Sequence, residues 1–237
     1  MKNSKDFNKI PLSTELCEFI GAHIGDGYAN KYIITCGKTK EDKIKYCTRY
    51  HIQFSGHSKN DLDYYKNKII PIANKLFDIN PYTRIIGNTL RINFFSKKLI
   101  FMLKDRFGIP IGKKSHTVKI PEEILNSNKK YLFATIRGIF DTDGCVFIDK
   151  REIYLKPYPR ITLQIMSKPL YFQLKKILEK YFTLYTRINE KRQNTYIEVY
   201  GSIQIGKWMK LIGFSNKYHL LKLQNASMAQ AVERDSV

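Results

Sequence analysis

Between Lys43 and Ser55 apolar-leaning and polar residues alternate strictly. Ile44, Tyr46, Thr48, Tyr50, Ile52 and Phe54 fall on one face; Lys43, Lys45, Cys47, Arg49, His51, Gln53 and Ser55 fall on the other. A period of two predicts a half-buried strand or hairpin arm with a polar, basic outer face. Arg160-Ile-Thr-Leu-Gln-Ile165 repeats the idea, and Gly87-Asn88, set between two β-rich runs, predicts a tight hairpin turn. Elsewhere the period is helical. Residues 62–77 and 170–182 read as amphipathic helices, with Pro71 predicting a kink or break in the first. Pro11 and Ser13 ahead of Glu15 and Glu18 predict a capped helix start, and Gly27 its end.

Two stretches 117 residues apart read almost alike: Phe19-Ile-Gly-Ala-His-Ile-Gly-Asp-Gly27 and Ile136-Arg-Gly-Ile-Phe-Asp-Thr-Asp-Gly144. Further matches follow in the same order. Ser58-Lys59 pairs with Ser167-Lys168, Tyr82-Thr-Arg-Ile85 with Tyr185-Thr-Arg-Ile188, Gly108 with Gly213, and Lys114–Ile120 with Lys217–Leu223. One ancestral unit of helix, strands, helix, strands, helix is therefore duplicated. The expected divisions are an N-terminal extension over 1–11, a first repeat over 12–120, a linker over 121–130 and a second repeat over 131–225. Residues 226–237, where basic bias and periodicity fade, are expected to be a frayed tail or expression scar.

Charge changes the picture. The 237 residues carry 41 Lys+Arg against 21 Asp+Glu, a net charge of +20, which points to a phosphate-bearing partner. No run approaches the ~20 apolar residues of a membrane span, and no signal peptide is evident, so the expected setting is cytoplasmic (nucleoid-associated) or an organellar matrix, not secreted. The four cysteines lack metal-ligand or disulfide-framework spacing and are expected to be reduced thiols.

Within both motifs small residues recur every fourth position: Cys17, Gly21 and Gly25, then Ala134, Gly138 and Thr142. Such a stripe lets two helices meet backbone to backbone. Leu16, Phe19, Ile20, Ile24, Phe133, Ile136, Ile139 and Phe140 flank it as core-facing bulk. Packed across a pseudo-twofold axis, the helices would deliver Asp26 and Asp143 side by side. Two carboxylates at helix C-termini oppose the dipoles and each other, and a divalent cation would cancel both penalties. Hard oxygen donors favour Mg²⁺, with Mn²⁺ as a substitute.

The doubled motif resembles the LAGLIDADG homing endonucleases in their single-chain, two-repeat form, over about residues 12 to 224. The resemblance implies an α+β fold of two αββαββα repeats, motif helices at the interface, and two antiparallel sheets forming a DNA-binding saddle. It implies cleavage of both strands of a long target, leaving a staggered break. Asp26 and Asp143 would be the metal-binding acids, joined by the carbonyls of Gly25 and Thr142. Lys114 and Lys217, equivalent in the repeat, would be the assisting lysines, with Lys113 a neighbour that could substitute. Two departures stand out. Ile24 occupies a motif position that Asp141 keeps acidic, and the strand ends where the family often has polar residues hold Gly56-His57 and Ile165-Met166.

Alternation then selects the base-reading residues, since Arg and Lys suit guanine and Gln or Asn suit adenine in the major groove. They are Lys43, Lys45, Arg49, His51, Gln53, Arg91 and Asn93 on the first unit, and Arg160, Thr162, Gln164, Arg187, Asn189 and Tyr196 on the second. The alternatives on the same fold are a group I intron maturase, with intron RNA as partner, and a non-catalytic DNA-binding regulator. Intact acids in both repeats favour the nuclease. A chain that opens on Met-Lys-Asn without a flanking splicing domain suits an intron-encoded or free-standing gene rather than an intein, and a repeat already fused in one chain suits a monomer.

Overall fold

The computed structural model describes residues 6–39, 42–151 and 158–232, with side chains as far as Asn225. The first repeat runs α1 (Thr14–Ile24), β1 (Gly27–Lys38), β2 (Ile44–His57), α2 (Leu62–Tyr64), a π-helical turn (Tyr65–Ile69), α3 (Ile70–Phe77), β3 (Tyr82–Ile86) and β4 (Thr89–Phe95). It closes with α4 (Lys97–Phe101) and a second π-helical turn (Met102–Arg106), and the short α5 (Glu122–Leu125) lies in the connection. The second repeat runs α6 (Lys129–Thr142), β5 (Gly144–Asp149), β6 (Tyr158–Ile165), α7 (Lys168–Leu178), β7 (Leu184–Asn189), β8 (Asn194–Tyr200), α8 (Ser202–Leu211) and α9 (Lys217–Val232). Each repeat builds a four-stranded antiparallel sheet, in the orders β1-β2-β4-β3 and β5-β6-β8-β7. The architecture is α+β, duplicated.

Local chemistry accounts for the boundaries. Ser13 caps α1 by accepting the Leu16 N–H at 3.1 Å, and Ser167 caps α7 through the Leu170 N–H at 3.3 Å. Gly87, at φ +57°, makes the β3–β4 turn. The break expected at Pro71 takes the form of the π-helical turn just ahead of it, which widens the coil before a residue that lacks an N–H. The first motif helix ends two residues earlier than expected. Its cap is Gly25, whose N–H donates to Gly21, while Gly27 already pairs with Phe54 as the start of β1.

The inner sheet faces carry the core. Phe19 meets Phe54, Phe77 and Phe94 at ring-centroid distances of 5.4, 5.3 and 6.2 Å, and Trp208 meets Phe140 and Phe182 at 4.6 and 5.4 Å. Each such buried ring contributes roughly 1.5–3 kcal/mol relative to exposure. The apolar face of β2 is buried only at its inner end. Ile52 and Phe54 are sealed, but Ile44 and Tyr46 are 56% and 65% exposed, because the β1–β2 arm outruns the helices behind it.

Two further expectations are corrected. Cys36 and Cys47 are not free thiols: they form a disulfide across the β1–β2 arm, with Cα atoms 5.8 Å apart, whereas Cys17 and Cys145 are free. Hairpin pairing, not local spacing, brought them together. The supposed tail is helical as far as Val232, as the continuation of α9; residues 233–237 of that segment lie outside the described residues. Among the described residues no helix is long and apolar enough to cross a membrane.

Candidate active site

The two motif helices, α1 and α6, pack on each other along the small-residue stripe. A Cβ on Gly21 would collide with the Thr135 carbonyl, one on Gly25 with the Thr142 hydroxyl, and one on Gly138 would stand 2.7 Å from the Ala22 nitrogen. Only hydrogen at these positions permits the approach. Beside the stripe, Glu18 is buried and spans the interface to Arg137 at 2.7 Å, with Lys68 at 3.5 Å. Glu18 was expected in an ordinary acidic first turn; instead it is the anion of a cross-repeat ion pair.

This packing brings Asp26 and Asp143 into hydrogen-bond contact at the ends of the two helices. Burial, then the charge of Asp143, pushes Asp26 well above the usual carboxylate range. Asp143 is also raised by burial, with Lys114 and the hydrogen bond to Asp26 pulling the other way. Asp143 nevertheless keeps an open side: protein packs densely around it, yet its side chain is reached by solvent. Two facing carboxyls of this kind titrate as a pair, and each disfavours the other's charge.

Lys114 stands against the end of α1. Its ammonium donates to the carbonyls of Ile24 and Gly25, the latter at 2.6 Å, and lies close enough to both acids to feel their charge. Burial lowers its pKa while the two aspartates raise it. Lys113 beside it is exposed. Lys217, its sequence equivalent, is placed differently: 65% exposed, it pairs with Asp63 at 3.0 Å, so the duplication does not bring a second lysine to the acids in the same way. Thr142 turns its hydroxyl back to the Gly138 carbonyl at 2.9 Å. His57 is exposed, and its Nδ1 accepts the Lys59 N–H at 3.2 Å, an ordinary turn contact.

The departure at the sixth motif position also has a structural content. Asp141 accepts the N–H groups of Ser215 and Asn216 at 2.9 and 3.1 Å, immediately ahead of α9. Asn216 in turn donates to Asp61 of the first repeat at 3.0 Å. Burial pushes the Asp141 carboxyl up to about 8. Ile24 takes the apolar counterpart position and is buried.

The outer sheet faces collect the selected polar residues. Pairing sets His51, Gln53 and Ser55 opposite Phe95, Asn93 and Arg91. Arg49, Lys45 and Arg91 are exposed; Lys43 sits just ahead of β2. His51 hydrogen-bonds Asn93 at 2.8 Å and stacks on Phe95, while Gln53 donates to Ser55 at 2.9 Å. On the second sheet Gln164, Arg187, Asn189 and Tyr196 line a shared concavity of about 340 Å³. Arg160 and Thr162 are less available. Arg160 is bound to Glu198 and, at 3.2 Å, to Asp149; Thr162 is nearly buried and donates to the Cys145 carbonyl at 3.3 Å.

A family model described as a LAGLIDADG-like domain matches residues 130–224. That match covers the second repeat. The described residues carry the two-repeat fold seen in solved single-chain LAGLIDADG endonucleases. The structure of I-DmoI in complex with DNA and Mn aligns over 86% of this chain and 99% of its own, at a TM-score of 0.59 and 17% identity. That of the LAGLIDADG homing endonuclease I-GzeII in complex with its DNA target aligns over 95% and 92%, at 0.61 and 8%. Among curated proteins, the replication factor C small subunit of Methanocaldococcus jannaschii is 28% identical over 222 residues, 92% of this chain but 10% of that relative. The chain thus spans about a tenth of that protein's length.

The two acids suit a hard cation. Two facing, buried carboxyls are a site short of positive charge, and carboxylate oxygens are hard donors. Among the described residues no cluster of three or more His, Cys, Asp or Glu could hold an ion. The remaining ligands must therefore be backbone carbonyls, waters or phosphate. The sequence missed three contributors to this region: Tyr65, whose hydroxyl reaches Asp26, Asp61, whose charge acts on that acid, and Asn216, which donates to Asp61. Only tertiary pairing identifies them.

Proposed function

We propose that this chain is a site-specific double-strand DNA endonuclease that uses a divalent cation and leaves a staggered break at a long target, acting as a monomer. The observation that carries the reading is the contact between Asp26 and Asp143 at the joint of two duplicated sheets with polar outer faces. DNA and Mn accompany I-DmoI, and a DNA target accompanies I-GzeII, which supports the same partner here.

The pseudo-twofold axis between α1 and α6 matches the twofold relation of antiparallel DNA strands, so each acid is assigned to one strand. Asp26 and Asp143, with the carbonyls of Gly25 and Thr142, would hold the cation, Mg²⁺ in the first instance with Mn²⁺ as a substitute. Bound there, a divalent ion supplies positive charge against the phosphate and acidifies a water. Lys114 stabilises charge developing on the attacked phosphate once its ammonium leaves the Gly25 carbonyl for the substrate. Exposed Lys45, Arg49, Arg91 and Arg187 neutralise or read the duplex.

The test is cleavage of a randomised duplex library in Mg²⁺, followed by sequencing of the products. A single long recognition sequence cut on both strands is the expected result, with cleavage lost in EDTA. Asp26→Asn and Asp143→Asn should each abolish double-strand cleavage while DNA binding persists. Full cleavage by both variants, or none by the native chain, overturns the reading.

A further inference from the structure

We infer that Tyr65 is the positioning residue of the Asp26 carboxylate, and that it makes the two halves of the site unequal. Its hydroxyl donates to Asp26 Oδ2 at 3.0 Å. A phenol has one proton to give. Given to Oδ2, it fixes the carboxylate's rotation and leaves Oδ1 as the oxygen to be offered elsewhere.

Three features hold Tyr65 in place. It opens the π-helical turn between α2 and α3, a form of helix that collects at functional sites. Its ring is buried and packs on Phe54 and Tyr64, with centroids 5.9 and 5.6 Å away. Opposite it, β2 carries Gly56, where an added Cβ would stand 2.8 Å from Tyr65 Cε2. The strand is bare where the ring must pass to reach the acid.

The second repeat lacks this device. Matching Ser58 with Ser167 places Leu174 at the position of Tyr65, and Leu174 is a buried apolar residue of α7. Asp143 has no hydroxyl from that helix; the basic group acting on it is Lys114. Duplication gave two acids, and the surroundings then diverged.

The inference rests on the nuclease reading, and its test separates the two. Tyr65→Phe keeps the ring and removes the hydroxyl. Mn²⁺ binding is followed by EPR on the complex with the selected duplex, and cleavage is resolved by end-labelling each strand. Partners behind metal ligands commonly set affinity by 10–100-fold. Mn²⁺ should bind about 10-fold more weakly to Tyr65→Phe, with one strand slowed and nicked duplex accumulating. Gly56→Ala, which displaces the ring, should reproduce this. Tyr64→Phe is the control, since that buried hydroxyl has no partner among the described residues. Native Mn²⁺ affinity in Tyr65→Phe, equal slowing of both strands, or the same loss in Tyr64→Phe overturns the inference. Failure of the native chain to bind Mn²⁺ or cut any duplex instead overturns the nuclease reading beneath it.

Discussion

The Cβ that Gly138 lacks would stand 2.7 Å from the backbone nitrogen of Ala22, inside van der Waals contact with atoms that belong to the other repeat. Neither partner is a flexible side chain, so the strain of any substituent must be relieved by separating α1 from α6. Gly138→Ala is therefore expected to cost about 3 kcal/mol, the upper part of the overpacking range. Denaturant unfolding should show this, and cleavage should fall further than stability alone explains, because Asp26 and Asp143 ride on the same two helices. Gly206→Ala, inside α8 with nothing near its missing Cβ, is the matched control: it should leave cleavage unchanged and raise stability by about 0.5–1 kcal/mol.

The interface was legible because its requirement is local: Gly21, Gly25 and Gly138 recur at helical spacing in two registers, and backbone contact needs nothing more. The sheets were legible for the same reason, since alternation is written into β2 residue by residue. The disulfide was not. Cys36 and Cys47 stand 11 residues apart and meet only through β1–β2 pairing with its irregular register. Nor was the split between Lys114 and Lys217 legible. Repeat matching equates them, but Asp63 at the start of α2 claims one, and the carbonyl end of α1 claims the other. Duplication predicts positions, and later contacts decide their use.

Glu18 and Arg137 form the ionic part of the same interface, at 2.7 Å, with the Glu18 side chain 1% exposed. Removing one partner of a buried pair leaves a charge without compensation, which costs about 3–5 kcal/mol. Lys68, at 3.5 Å, retains part of the compensation. Arg137→Ala should thus destabilise by about 3 kcal/mol, and Glu18→Met combined with Arg137→Met should recover much of it. A double-mutant cycle by chemical denaturation checks both; an Arg137→Ala variant as stable as the native chain would deny the pair its role.

The active acids work against the fold. Asp26 is raised above its unfolded value, so the folded protein keeps a proton that the unfolded chain releases as pH climbs past about 4. Stability from the protonated form is present below that value and lost as pH rises towards the folded one. Asp26→Asn removes the loss. Its melting temperature should match the native one near pH 4 and exceed it increasingly towards pH 7.5, by about 2–4 °C for each kcal/mol recovered. A native chain as stable as the variant at pH 7.5 would show that Asp26 is not electrostatically penalised.

On the outer face of the second sheet, acids hold back a base. Glu198, nearly buried, binds Arg160 and accepts the Tyr196 hydroxyl at 2.8 Å; Asp149 is shared between Arg160 at 3.2 Å and Arg151 at 2.7 Å. Glu198→Gln keeps the shape and deletes one negative charge, leaving Arg160 available to phosphate through the remaining, shared partner. Each phosphate neutralised steepens the dependence of log Kobs on log salt by about 0.9. Glu198→Gln should therefore bind duplex more tightly at low salt, with a slope steeper by about 0.9. Arg187→Gln, on the neighbouring strand β7 of the same face, should bind more weakly with a shallower slope. Fluorescence anisotropy across a salt series measures both. Slopes unchanged in the two variants would remove the second sheet from the DNA-binding surface, because a duplex lying against that face must register the charge of both residues.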